Sequence, residues 1–176
     1  VTERSTLISI GEGFALRSLC ATDADAIARY ANNRNVWRNL RDVFPTPYDR
    51  EHAVKFIKEM LASEPEGAFA IASPEEAIGV IGFHLQPDVL CRTAEVGYWL
   101  GEPFWGRGIA TRALIAITGY AFQRHDYLRL TSNVFGWNLA SARVLEKAGY
   151  TREGVLRNAV FKDGQVTDLL IYGKLR

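Results

Sequence analysis

Trp99-Leu100-Gly101-Glu102-Pro103-Phe104-Trp105-Gly106-Arg107-Gly108-Ile109-Ala110-Thr111 joins a short apolar segment to a long apolar run. The segment before it, Thr93 to Leu100, has strand character, and Arg107 to Gln123 reads as a helix apolar enough to be covered on two sides. Glycine reaches φ > 0 without steric cost and lets a ligand approach the backbone closely. The first turn of a helix leaves N–H groups unpaired, and the helix dipole favours anions there. Strand, Gly-x-Gly turn and helix start together make a cradle for a pyrophosphate, with Arg107 adding positive charge at its mouth. Glycine turns at strand–helix junctions are also purely structural devices, and spacing alone leaves both readings open. The Lys-Ser/Thr ending of a P-loop is missing and the spacing is not GxGxxG, which weakens ATP and dinucleotide readings.

One strand further on, Asn133-Val134-Phe135-Gly136-Trp137-Asn138-Leu139-Ala140-Ser141 repeats the pattern of a strand end followed by a helix start. Asn138 is placed to cap that helix, with Ser141 at its third residue. The alternative puts the Asn138 amide and the Ser141 hydroxyl beside a ligand threaded between the two helix starts.

The rest of the chain supplies more strands and helices. Phe14–Leu19 reads as the first strand. Thr22, with Asp25 three residues on, opens a helix whose apolar face is Ala24, Ile27, Ala28 and Ala31. Val36, Trp37 and Leu40 suggest a short helix. Asp49 caps a longer one to about Ser63, with Ala53, Phe56, Ile57, Met60 and Leu61 as its buried stripe. Phe69–Ala72, Ile78–Leu85 and Leu128–Val134 read as strands, and Asn138–Ala148 as a helix stopped by Gly149. Tyr150–Phe161 and Val166–Lys174 form a closing hairpin around Asp163-Gly164. The order is mixed α and β around a strand–helix–strand–helix unit.

Composition narrows the function classes. The 176 residues fit one domain, spanning 1–176, with a sizeable core. Hydrophobic residues at 48% and charged residues at 23% exclude a disordered or low-complexity chain. A formal net charge of +1 gives no sign of bulk binding to nucleic acid or a membrane surface. No apolar run approaches the ~20 residues of a membrane span, and Val1 to Gly13 has no secretory pattern. Cys20 and Cys91 are far apart, so buried, reduced thiols in a cytoplasmic setting are expected, with no metal framework.

Taken together, Ala94-Glu95-Val96-Gly97-Tyr98-Trp99-Leu100, Trp105-Gly106-Arg107-Gly108-Ile109-Ala110-Thr111, Asn138-Leu139-Ala140-Ser141, Leu145-Glu146-Lys147-Ala148-Gly149-Tyr150 and Asp168-Leu169-Leu170-Ile171-Tyr172 resemble the GCN5-related N-acetyltransferase (GNAT) family. The resemblance covers nearly the whole chain and is strongest to the branch of the RimJ and RimL ribosomal-protein acetyltransferases. It implies an α+β domain with a mostly antiparallel twisted sheet flanked by helices and splayed strands forming an acetyl-CoA cleft. It also implies acetyl-CoA as co-substrate, no metal, and an amine acceptor that is a protein N-terminus or a small molecule. A monomer or homodimer fits that picture. The pyrophosphate would sit on the N–H groups of Gly106, Arg107, Gly108, Ile109, Ala110 and Thr111. Trp99, Leu100 and Gly101 would run along the pantetheine arm, a bulge would splay their strand from the next, and Asn138 would hydrogen-bond the pantetheine.

The resemblance breaks at one position. Many members carry, seven residues after the position of Asn138, a Tyr that protonates the departing thiolate, and Leu145 stands there. In the RimJ and RimL branch a Ser near the sulfur takes over, which gives Ser141 the role by resemblance. The amide of Leu100 is, likewise by resemblance, the oxyanion donor.

Strand alternation sets Glu95, Gly97 and Trp99 on one face and Val96, Tyr98 and Leu100 on the other. A half-buried Glu95 in the cleft would have a raised pKa and suit the role of base, or it is a structural carboxylate that pairs with an Arg or holds a substrate amine. His84 reads as an isolated packed or surface histidine. Asp42, Asp49 and Glu51 read as a solvated acidic face or as partners of a cationic acceptor, and Arg38 and Arg41 are equally available to an anionic one. An acetyl-CoA-dependent N-acetyltransferase is therefore expected, acting by direct attack in a ternary complex. The alternatives are a non-catalytic CoA-binding sensor and a nucleotide-binding protein.

Overall fold

Burial alternates along Thr93–Leu100: Ala94, Val96 and Leu100 are buried, while Glu95 and Trp99 are half-exposed and Gly97 is open. That alternation belongs to a central strand with a different environment on each face. The computed structural model describes residues 5–176. Its strands are β1 (Leu7–Gly11), β2 (Phe14–Ser18), β3 (Ala68–Ala72), β4 (Ala77–Leu85), β5 (Thr93–Leu100), β6 (Arg129–Phe135), β7 (Thr151–Lys162) and β8 (Gln165–Leu175). Its helices are α1 (Ala24–Ala31), α2 (Arg34–Trp37), α3 (Arg50–Ala62), α4 (Ile109–Arg124) and α5 (Leu139–Lys147).

The strands form one sheet in the order β1-β2-β3-β4-β5-β6-β8-β7. Every pairing is antiparallel except β5–β6. This is the α+β architecture the motifs imply. Helices α4 and α5 cover one face over a core that includes Leu16, Phe69, Ile81, Val96, Leu114, Leu130 and Leu145. Helices α1 and α3 cover the other around Ile27, Ala53, Ile57 and Val80.

The helix does not start at Thr22 as expected: a 3-10 turn over Ala21–Asp23, with Cys20 at its N-cap, leads into α1. Asp23, not Asp25, closes the cap by accepting the Cys20 N–H at 2.9 Å, and Arg17 holds it at 2.6 Å; Asp25 faces outward to Arg50. Asp49 caps α3 as expected, accepting the His52 N–H at 2.9 Å. Asp163 and Gly164 turn the β7–β8 hairpin with φ of +54° and +73°, the left-handed pair that a two-residue hairpin needs.

Three expectations are corrected. Strand β1 was not foreseen. Both cysteines are free and exposed rather than buried, because each sits in a surface turn. Helix α4 buries one stripe (Ile109, Ala113, Leu114, Ile117, Thr118, Ala121) and leaves Ile115 half-exposed, so its apolar character comes from small residues rather than from cover on two sides.

Candidate active site

The site is a gap in the sheet. Strands β5 and β6 pair only over Thr93↔Arg129, Ala94↔Leu130 and Glu95↔Thr131. Beyond Glu95 they part, while β5 stays paired to β4 as far as Leu100↔Gly79. The expected splay is present, but no register shift interrupts the β4–β5 ladder, so it does not come from a bulge against β4.

The edge that β5 presents to the gap follows from the ladder. The Gly101 N–H donates to Ile78 at 2.8 Å, toward β4. Successive backbone groups alternate between edges. The main-chain groups of Trp99 and Gly101 are thus turned to β4, and those of Tyr98 and Leu100 point into the gap. This corrects the expectation that Trp99 and Gly101 line the pantetheine arm through their main chain. Trp99 instead sends its side chain to the α1–α3 face, edge-on to Phe44 with ring centroids 6.0 Å apart. Gly101 is glycine because a Cβ there would lie 2.9 Å from the Tyr30 ring. The Leu100 carbonyl accepts the Trp105 indole N–H at 2.7 Å, which pins the loop after β5.

That loop opens into the cradle. Gly106 and Gly108 have φ of +74° and +72°, the left-handed region that glycine enters without penalty. Gly108 is the N-cap of α4, and the first helical bond is Arg112 N–H to the Gly108 carbonyl at 3.1 Å. The amides of Ile109, Ala110 and Thr111 have no acceptor inside the helix. Gly106 has open space where a Cβ would stand. Arg107 is exposed, its guanidinium 5.5 Å from the Phe14 ring and 5.9 Å from Phe104. These six residues set a turn and a helix start next to the gap, where backbone amides are available to an anion.

Across the gap, Asn138 caps α5: its Oδ1 accepts the Ser141 N–H at 3.2 Å. The capping role is therefore filled, and the Asn138 Nδ2 is left to donate elsewhere. The Ser141 hydroxyl lies 2.8 Å from the Tyr98 hydroxyl. Leu145 is fully buried in the core and has no proton to give.

Glu95 sits at the vertex where the strands part, on the face opposite Tyr98. His84, its direct partner across the β4–β5 ladder, places Nε2 3.5 Å from a Glu95 oxygen. Asn133 of β6 donates to Glu95 at 3.5 Å. The His84 imidazole holds the Glu95 carboxyl below the usual carboxylate range; burial opposes this, and Arg41 and Asn133 reinforce it. The expectation of a raised pKa is therefore reversed: local partners outweigh desolvation. His84 is not isolated, because the register brings it to Glu95.

The segment after α1 closes this face. Asn33 and Asn35 donate to Glu102 at 2.7 and 2.8 Å, and the Trp137 indole donates to Asn39 at 3.1 Å. Arg34 pairs with Asp163 at 2.8 Å. Lys162, almost fully buried, meets Asp42 at 2.6 Å with its ammonium 3.6 Å from the Trp37 ring centroid. Asp42 and Asp49 are thus committed, one to an ion pair and one to a cap. Among the described residues no group of three or more His, Cys, Asp or Glu could hold a metal, and no helix is long and apolar enough to cross a membrane.

Sequence reasoning missed Tyr98, His84, Asn133 and Trp105 as parts of this site. Alternation had already placed Tyr98 on the face away from Glu95, but its partner, and those of His84 and Asn133, depend on register and on the helix start across the gap.

The family model described as an acetyltransferase (GNAT) domain matches residues 14–151. The probable N-acetyltransferase YjcK of Bacillus subtilis (strain 168) is 31% identical over 91% of this chain and 95% of its own. The ribosomal-protein-serine acetyltransferase of Escherichia coli (strain K12) is 34% identical over 61% of this chain and 59% of its own. Among solved structures, the RimL ribosomal alpha-N-protein acetyltransferase in complex with coenzyme A superposes with a TM-score of 0.84 at 24% identity, covering 97% of this chain and 98% of that one.

Proposed function

Because the chain belongs to the GNAT acetyltransferase family, we propose that it moves an acetyl group from acetyl-CoA to a primary amine by direct attack in a ternary complex. It is an acetyl-CoA-dependent N-acetyltransferase; the residue roles and the acceptor below are our reading. The observation that carries it is the gap in the sheet, with an anion cradle of backbone amides beside its open end and a carboxylate at its vertex.

The amides of Gly106, Arg107, Gly108, Ile109, Ala110 and Thr111 hold the pyrophosphate. The edge groups of Tyr98 pair with the pantetheine, and the Asn138 Nδ2 adds a donor from α5. The Leu100 N–H points into the gap and suits the developing oxyanion. Its placement costs nothing at the moment of reaction, because the β4–β5 ladder already fixes it.

Glu95 receives the acceptor. A carboxylate held below its ordinary range is a weak base and a strong partner for a cation, so Glu95 binds and orients the amine rather than keeping its proton. The bound ammonium first gives a proton to water and becomes the neutral amine that attacks; the second proton on nitrogen leaves to water as the C–S bond breaks, and Ser141 supplies a hydrogen bond to the departing sulfur. The first acceptor to try is the N-terminal amine of a peptide. Relatives named for ribosomal-protein acetylation support that choice, and small-molecule amines form the second arm.

The test is CoA release measured over a panel of peptides and small amines, with Glu95→Gln and Ser141→Ala in parallel. Turnover on at least one amine, reduced in both variants, is the expected result. Full activity in both removes the residue roles. Acetyl-CoA binding with no turnover on any amine replaces the enzymatic reading with a CoA sensor.

A further inference from the structure

We infer that Tyr98 is a positioning residue for the leaving group, its phenol donating to Ser141 so that the serine's own proton is free to face the thioester sulfur. This deepens the proposed reaction and rests on the reading of Ser141 given above.

The argument begins with hydrogen-bond capacity. A phenol has one proton, and the two acceptors near Tyr98 both belong to Ser141: the hydroxyl oxygen at 2.8 Å and the carbonyl oxygen at 3.4 Å. A serine hydroxyl also has one proton, and its oxygen accepts as well as donates. If Tyr98 donates, Ser141 accepts from it and keeps its own proton for a third group. If Ser141 donates to Tyr98, that proton is spent. The first polarity also strengthens Ser141 as a donor, since hydrogen bonds in a chain polarise one another.

The 2.8 Å contact with the hydroxyl is shorter than the 3.4 Å contact with the carbonyl, which favours the hydroxyl oxygen as the phenol's acceptor. Tyr98 belongs to β5 and Ser141 to the first turn of α5, so their bond spans the two sides of the gap where the strands have parted. Asn138 holds the Ser141 N–H while Tyr98 holds its hydroxyl, which fixes the serine at both ends. Burial raises the Tyr98 pKa, so the phenol keeps its proton at neutral pH and stays a donor. Leu145, one turn further along α5, offers no competing donor.

In the step itself the amine lone pair forms the C–N bond. The C–S bond breaks with its electron pair going to sulfur. The excess proton on nitrogen goes to water, and the Ser141 hydroxyl holds the thiolate by a hydrogen bond. Tyr98 gives up no proton and touches no reacting atom.

The test is a double-mutant cycle on kcat and KM with acetyl-CoA, using Tyr98→Phe, Ser141→Ala and the pair, together with calorimetric CoA binding. Tyr98→Phe is expected to lower kcat about threefold to tenfold, the worth of one neutral hydrogen bond. KM and CoA affinity are expected to stay within about twofold, since Phe keeps the ring. In the Ser141→Ala background the same change should add nothing. A Tyr98→Phe rate at or above wild type overturns the inference, as it would mean that Ser141 donates to Tyr98. So do an equal loss in the Ser141→Ala background, a loss carried by KM, and a variant that no longer binds CoA. Full activity of Ser141→Ala is a separate result, which overturns the role of the serine itself.

Discussion

The proposed anion cradle and the proposed acceptor face lie along one strand and are built from different parts of the chain. The cradle is backbone: two glycines at positive φ and the first amides of α4, within six consecutive residues. The acceptor face is side chain: Glu95 and Trp99 from β5, His84 from β4, Asn133 from β6, and Phe44 and Arg41 from the segment after α1. A backbone site depends on dihedral angles and accepts many side chains around it. A side-chain site assembled from four segments changes whenever any one of them does. On the proposed roles, donor binding rests on local backbone and acceptor binding on side chains that only the fold brings together.

The sharpest way to break that division is to strain the cradle. Gly108→Val forces a β-branched residue into φ of +72°, a conformation that costs roughly 1–2 kcal/mol for an L-residue. CoA affinity by calorimetry should fall about tenfold or more, while KM for the acceptor amine stays put. A matching rise in acceptor KM would show the two regions to be one energetic unit.

Glu95→Gln is the converse. Removing the charge should raise KM for a cationic acceptor by about tenfold, the scale of one charge-assisted hydrogen bond, with CoA affinity unchanged. A loss confined to kcat would return Glu95 to the role of base.

A smaller effect tests why Glu95 is anionic. Its folded-state pKa is depressed, so its contribution to stability is complete above the unfolded value of about 4.3. That contribution is lost as pH falls through the lower folded value. His84→Ala removes the largest cause of the depression and leaves Arg41 and Asn133. The fall in Tm between pH 7 and pH 3 should therefore be smaller in His84→Ala than in the parent. An unchanged fall would mean that His84 does not govern this carboxylate.

The same division explains what could be read from sequence. Gly106, Gly108 and the run that follows are local, so a turn, a helix start and an anion site can be inferred from adjacent residues. The strands from Ala68 to Leu100, helix α3 and the final hairpin were legible for the same reason, each carrying its own cap or turn. Strand β1 was not, because a five-residue edge strand with one buried side chain has no periodicity to show. His84 was read as isolated because it is eleven residues from Glu95 in the chain and opposite it only in register. The direction of the Glu95 shift could not be read for that reason: burial alone predicts a rise, and the partners that reverse it are brought by the fold.

Asn138 combines a structural role with a proposed donor-binding one and gives the finest test. Its Oδ1 caps α5 on the Ser141 N–H, and its Nδ2 is the proposed donor to the pantetheine. Asn138→Ala removes both roles; losing the cap should cost about 1 kcal/mol, a fall of roughly 2–4 °C in Tm for a chain of this size. Asn138→Asp keeps the capping oxygen, adds a charge that the helix N-terminus favours, and deletes the amide donor. It should hold Tm at or above the parent value and weaken CoA binding about threefold, as one lost neutral hydrogen bond. If Asn138→Asp binds CoA as the parent does, the side chain is a cap and nothing more, and the donor arm rests on the backbone of β5 and the cradle alone.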